Sequence, residues 1–333
     1  MAGGKERILR RRIKSVQSTK KITKAMELIA ASRIVKAQQR VAAARPYSEQ
    51  ITEVIRSLAA GGAELDHPLL REPKDVGKVA FVVVTADRGL AGAYNTNVIR
   101  AAERALKAEQ DKGRGYSLVL AGKKGESYFR FRGYDIDATF SGMSEQPTYE
   151  DAREVAAVVT KAFEDGEVGL VYLAYTQFLS AGTQKVQVRQ FMPLDQAALE
   201  DAPESETGGA AAAYEFEPAP AEILERLLPR YVEARLFAAM LDAAASEHAA
   251  RQRAMKSATD NAEELITKLS RVMNRARQES ITTEIMEIAG GAEALRQGGS
   301  GEVDYMPDNL TSRDVLPDQI DPSQRRKKKR VNQ

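Results

Sequence analysis

The stretch IVKAQQRVAAARPYSEQITEVIRSL, residues 34–58, decides the fold. Its positions Ile34, Ala37, Val41, Ala44, Ser48, Ile51, Ile55 and Leu58 recur at alternating steps of three and four, and all but Ser48 are apolar. That spacing is the seam of a coiled coil. Upstream, Ile13, Val16, Ile22, Met26 and Ile29 continue a less regular stripe, so one helix is expected from about residue 5 to Leu58, kinked at Pro46, which has no N–H to donate.

A seam needs a partner, and only the other end of the chain is long enough to supply one. After Pro218 and Pro220, the positions Ala258, Ala262, Leu265, Leu269, Val272 and Ala276 step by four and three, and the stripe resumes at Ile281, Ile285, Ile288, Ala292 and Leu295. Pro229 suggests a kink or restart near the beginning, and the first glycines that could end the helix are Gly290-Gly291 and then Gly298-Gly299. At about 1.5 Å per residue, some 75 helical residues extend about 110 Å, so the pair is expected to project well past the domain between its arms. Alanine at many seam positions lets the helix axes approach closely. Each such contact buries less apolar area, at about 25 cal/mol per Å², so the far end of the hairpin is expected to depend on partners.

Between the arms, Val79 to Val84 is a continuous apolar run that leads through Thr85-Ala86-Asp87-Arg88-Gly89-Leu90-Ala91-Gly92 into a helical pattern over 95–106. This reads as strand, glycine turn, helix. Further apolar runs at 117–121, 169–175 and 186–192 alternate with helical segments at about 123–131 and 149–164, as in a small, mainly parallel sheet. The fold class is therefore α/β: a long antiparallel two-helix coiled coil with a Rossmann-like α/β domain inserted in it. The expected boundaries are 1–60 for the first helix, 76–195 for the α/β domain, 196–217 for an acidic linker, 218–296 for the second helix and 297–333 for a disordered, basic-ended tail.

The charges support that division. The whole chain of 333 residues carries only +2, yet residues 1–45 hold 13 Lys and Arg against two acids. Asp195, Glu200, Asp201, Glu204, Glu206, Glu215 and Glu217 form a stretch without Lys or Arg, which reads as a solvated linker. The run Arg325 to Arg330 closes a proline-interrupted segment that offers little core-forming surface.

The chemical inventory is sparse. With no cysteine, thiolate catalysis, Cys-based metal sites and disulfides are excluded, and His67 and His248 are the only imidazoles. Neither lies in a catalytic or metal-binding spacing. Gly89-Leu90-Ala91-Gly92 sits where a dinucleotide fold places its phosphate cradle but lacks the required glycine spacing, and Gly122-Lys123-Lys124-Gly125 lacks the phosphate-loop frame; both read as structural turns. Glu263, Glu264, Glu284 and Glu287 read as a solvated helix face. No stretch is long and apolar enough to span a bilayer. A basic start can imitate an organelle transit peptide, but the helical pattern runs on without a processing-like break. The basic arm also permits an alternative, a coiled-coil scaffold binding nucleic acid or an acidic protein; against it, residues 10–41 hold no aromatic side chain to stack on bases.

Four blocks then converge on one family. Ile22-Thr23-Lys24-Ala25-Met26-Glu27-Leu28-Ile29-Ala30-Ala31-Ser32-Arg33 resembles the amino-terminal signature of the γ subunit of F-type ATP synthase. Asn274-Arg275-Ala276-Arg277-Gln278-Glu279-Ser280-Ile281-Thr282, running on to Gly290-Gly291-Ala292, resembles its closing helix. Between them, Ala86 to Gly92 and Ala254 to Ala262 resemble two further family blocks, and the likeness covers about residues 1–296 in order. The resemblance implies a bacterial central-stalk rotor, non-catalytic and without cofactor, metal or small-molecule substrate. It implies one copy per complex, in the cavity of the α and β hexamer, with the ε subunit and the membrane c-ring below. The location implied is peripheral, on the cytoplasmic side of the cell membrane.

The same resemblance places Arg277, Gln278 and Thr282 against a catch loop of β, Met26 against an acidic lever of β, and Arg251 at a position coupling the lower shaft to β. Tyr214 and Glu217, in Tyr214-Glu215-Phe216-Glu217-Pro218, match the segment that meets the c-ring. The chain departs from the family in lacking the Cys pair of a chloroplast-type thiol switch and in adding roughly 38 residues after Leu295.

Overall fold

The computed structural model describes residues 2–60, 67–70, 76–194, 217 and 219–298. The chain divides into two units, one of Ile8–Val272 and one that combines Met1–Arg7 with Met273–Gln333. Two helices carry residues of both: α1 (Ala2–Ala60) and α5 (Pro220–Gly298), of 59 and 79 residues.

In the larger unit, α1 and α5 run antiparallel. Lys20 pairs with Glu263 at 3.1 Å, and one turn along α1 the Thr259 hydroxyl meets the Thr23 hydroxyl at 2.8 Å. Further on, Ala44 and Ser48 line the same cavity walls as Ala234 and Ala238. Residue numbers thus rise along α1 as they fall along α5. Every position of the 34–58 seam is buried or half-buried. Upstream, Ile13, Val16 and Met26 of the expected stripe are buried or half-buried, but Ile22 and Ile29 are 60% and 54% exposed and Thr23 and Ala30 are buried in their place. On α5, Ala258, Ala262 and Leu269 of the expected stripe are buried or half-buried, together with Met255, Thr259 and Ile266, whereas Leu265 and Val272 are 38% and 53% exposed. Both helices run unbroken through Pro46 and Pro229. A proline removes one hydrogen bond, and the neighbouring turns hold the rest.

The α/β domain contains β1 (Lys78–Val84), α2 (Tyr94–Asp111), β2 (Gly115–Ala121), α3 (Lys123–Phe131), β3 (Ala138–Phe140), α4 (Tyr149–Glu164), β4 (Leu170–Phe178) and β5 (Gln184–Met192). The strand order is β3-β2-β1-β4-β5, parallel except for the antiparallel edge strand β5. The strand β3 has only three residues, too few to show a period in the sequence.

The centre of the sheet explains the unbroken apolar run. Ala80, Val82 and Val84 face one core and Val79, Phe81 and Val83 the other, because successive strand side chains alternate and both faces of a parallel sheet are covered. The second core is closed by α2 and α3 through Val98, Leu106 and Phe129. The first is closed by α4 together with the base of the helical pair, which contributes Ile51, Ile55 and Leu58 from α1 and Leu224, Leu228, Val232 and Leu236 from α5. The coiled coil is thus also one outer layer of the α/β domain.

Candidate partner-binding surfaces and the junction beneath them

In an open α/β sheet, ligands lie at the carboxyl end of the strand where the order reverses. Here that strand is β1, with β2 on one side and β4 on the other. The turn that follows it is held from within: Ala86 donates its N–H to Asn95 Oδ1 at 2.8 Å, and the Asp87 carboxylate accepts the N–H groups of Gly142, Lys123 and Ser144 at 2.8, 3.1 and 3.2 Å. Leu90 and Gly92 adopt φ of 64° and 58°, the left-handed region that a tight reversal requires.

The ligand position at this switch point is covered by α5. The Tyr94 hydroxyl donates to Ala243 O at 3.2 Å, and Ser246 Oγ donates to Thr176 O at 3.2 Å. A Cβ on Gly92 would lie 3.6 Å from Ala254 Cβ. Arg251 is here as well, only 7% exposed, its guanidinium 2.6 Å from Glu247 Oε1 and 3.3 Å from Gly89 O. Burial pushes the Glu247 carboxyl up despite that guanidinium, pushes the neighbouring His248 imidazole down, and raises the Tyr94 phenol well above its usual range. His248 lies between α5 and the domain with its Nε2 on the Glu145 carbonyl at 3.2 Å, a bond that works against the effect of burial. Glu247 and Arg251 lie one helical turn apart, but the contacts of α5 with Gly89, Tyr94, Glu145 and Thr176 join residues far apart along the chain, and no local pattern reveals them.

Met26 lies on α1, half-buried beside seam residues Thr23 and Ala30. Around it the surface mixes exposed apolar side chains, Ile22, Leu28 and Ile29, with Lys20, Lys21 and Lys24. Such a face suits an acidic partner with apolar contacts among the charges.

In the smaller unit, Arg277, Gln278 and Thr282 are all exposed on α5. The Thr282 hydroxyl donates to Gln278 O at 2.9 Å. Arg275 pairs with Glu279 at 3.0 Å, whereas no carboxylate among the described residues pairs with Arg277, which has no acid three or four positions away. Ile281, Ile285, Ile288 and Leu295 follow at helical spacing, exposed by 44%, 61%, 73% and 80%. The helix continues through Gly290-Gly291 to Gly298. Of the two residues that the resemblance assigns to a ring contact, Glu217 is exposed, whereas Tyr214, most of the acidic linker and the tail from residue 299 lie outside the described residues. No described helix is long and apolar enough to cross a membrane.

Residues 5–295 match the sequence family described as ATP synthase. The chain is 51% identical over 299 residues to the ATP synthase gamma chain of Frankia casuarinae, covering 89% of this chain and 99% of that one. The chain belongs to the ATP synthase gamma chain family. It is 49% identical over 302 residues to the gamma chain of Acidothermus cellulolyticus, covering 90% and 99% of the two chains.

Solved structures share the fold of this chain. A chain of the Euglena gracilis mitochondrial ATP synthase, in a structure of OSCP, F1 and c-ring, superposes with a TM-score of 0.62 at 19% identity, over 91% of this chain and 99% of that one. A chain of the Tetrahymena thermophila mitochondrial ATP synthase, in a structure of central stalk and c-ring, does so with a TM-score of 0.53 at 21% identity, over 71% and 99%. These are likenesses of fold. Nothing in them favours a nucleic-acid scaffold.

Proposed function

We propose that this gamma chain is the central-stalk rotor of an F-type ATP synthase, turning inside a hexamer of α and β subunits and driven from a membrane c-ring, with the ε subunit beside its foot. The reading is carried by 51% identity to a gamma chain over nearly the whole sequence. The chain itself catalyses nothing. Its work is mechanical: an asymmetric shaft makes unlike contacts with each β subunit, and turning it exchanges their conformations through those differences in interaction. The complex moves protons and makes or hydrolyses ATP at the cytoplasmic side of the cell membrane, and this subunit is peripheral to the bilayer.

The contacts follow from the exposed surfaces. Arg277 offers its unpaired guanidinium fork to carboxylates of β, with Gln278 and Thr282 beside it, while Ile281, Ile285 and Ile288 supply apolar surface for the surrounding hexamer. Met26 presents a neutral, adaptable side chain to an acidic β lever. Arg251, tied down inside the chain, serves β indirectly by holding the shaft on the α/β domain. Tyr214 and Glu217 meet the c-ring.

ATP hydrolysis by α and β subunits with and without this chain tests the reading. The chain alone should hydrolyse no ATP, and the mixture should do so cooperatively. Arg277→Ala combined with Gln278→Ala should leave assembly intact and slow hydrolysis by about tenfold, the effect of roughly 1.4 kcal/mol. An unaltered rate with the double variant would remove these two residues from the contact, and failure of the unaltered chain to assemble would defeat the rotor reading.

A further inference from the structure

The helix α5 packs on the α/β domain along its length from Leu224 to Arg251, with Ala239, Met240 and Ala243 in the shared core, whereas α1 is joined to the domain at two levels. The lower joint is the shared apolar core around Ile51, Ile55 and Leu58. The upper joint is the loop 141–148 between β3 and α4. On α1 the stretch between them runs from Arg40 to Ile51, about 11 residues or about 16 Å of helix. Over that span the helices meet through Val41, Ala44 and Ser48, and cavities of about 720 Å³ and 490 Å³ flank the contact. Held only at its lower joint, α1 would shift against α5 and the domain across that thin stretch.

The upper joint is polar and connects four elements. Glu145 takes Arg33 of α1 on Oε2 in a short, charge-assisted contact and Arg88 of the β1–α2 turn on Oε1 at 3.4 Å. Its carbonyl accepts from His248 of α5. Arg40, two turns along α1, reaches Gln146 at 3.5 Å. Below, Asp87 accepts the N–H groups of Gly142 and Ser144, while the Ser144 hydroxyl accepts from Asp87 N at 2.9 Å. Thr148 ends the loop as a reciprocal cap with Asp151, which fixes its exit into α4. The Glu145 side chain is only 21% exposed, so its charge acts where water screens it weakly.

From this juxtaposition we infer that loop 141–148 is a coupling block that ties α1 to the α/β domain and α5, so that the first shaft helix turns with them, with Glu145 as its positioning residue. The geometric half of this inference stands on the chain alone; its meaning for torque rests on the rotor reading. In the rotor, force entering at the foot passes into the hairpin at both joints, and the loose stretch between them adds little compliance.

The absence of native cysteine allows a direct test. Spin labels at exposed positions, Gln39→Cys on α1 and Glu154→Cys on α4, report the spread of distances between shaft and domain in the full chain, free and assembled with α and β. Glu145→Ala and Arg33→Ala should each broaden the distribution by about 1.5- to 2-fold, and the double variant should be no broader than either, because both remove one link. In single rotating complexes, a bead on the α/β domain should show correspondingly wider angular fluctuation with Glu145→Ala, while unloaded ATP hydrolysis stays within about twofold. An unchanged distance distribution overturns the coupling block. A broadened distribution with unchanged bead fluctuation overturns its torque role. If the unaltered chain fails to activate α and β, the rotor reading falls while the distance measurement still decides the block.

Discussion

Asp242 shows how one residue's surroundings set its response to pH. It lies half-buried on α5 beside the larger cavity, and burial pushes its carboxyl up to about 6, with Arg189, Arg45 and the Phe178 backbone pulling the other way. A carboxyl raised in the folded state binds more protons there than when unfolded. Its unfavourable contribution is therefore absent below about pH 4, grows as pH rises, and is complete above about pH 6. Asp242→Asn should raise the thermal midpoint at pH 7.5 and leave it nearly unchanged at pH 4. Equal shifts at both values would show that the carboxyl does not titrate in this window. At the same scale, Gly122 illustrates a position without tolerance: at φ 110°, a Cβ would lie 2.2 Å from Thr85 O, so the turn into α3 admits glycine alone.

At the scale of the element, the coiled coil shows which part of a seam can be read along the chain. The α1 seam from Ile34 to Leu58 was legible because its apolar positions alternate with charged and polar neighbours. On α5 the spacing runs through Ala262 and Leu269 by way of Leu265, where the structure buries Ile266 more deeply. Two adjacent apolar residues satisfy steps of three and four equally, and only the facing helix separates them. Likewise Thr23 displaced Ile22, because the Thr259 hydroxyl lies opposite it. The prediction is selective: Ile266→Ser should destabilise the helical pair by about 1 to 2 kcal/mol, and Leu265→Ser by no more than about 0.5 kcal/mol, in chemical denaturation of the full chain. The reverse order would return the seam to the spacing read from sequence.

The whole molecule joins what the sequence suggested were separate parts. The coiled-coil base and the α/β domain share one apolar core, so residues 76–194 without α1 and α5 would leave Val82, Val84, Leu173 and Tyr175 beneath a missing layer. Expressed alone, that segment should aggregate or bind an apolar dye strongly, since so large an exposed patch is rare in a stable monomer. A soluble, cooperatively unfolding 76–194 fragment would show the domain to be independent. The junction also gives an internal position to Arg251, whose pairing with Glu247 and Gly89 O lies beneath the helical surface.

Much of this protein was determined by its sequence alone. Heptad spacing dictates two long helices at the ends, the uninterrupted run Val79 to Val84 dictates a central parallel strand, and the blocks around Met26 and Arg277 mark the family. Those features are local, recurring within one turn or one strand, so physical periodicity carries them. Tertiary structure decided which face of α5 forms the seam, that α5 covers the sheet's switch point, and that Arg33, Glu145, Arg88 and His248 converge on one loop. Each of these depends on residues far apart in the chain, and no local pattern encodes which surfaces meet when the helices are laid on the sheet.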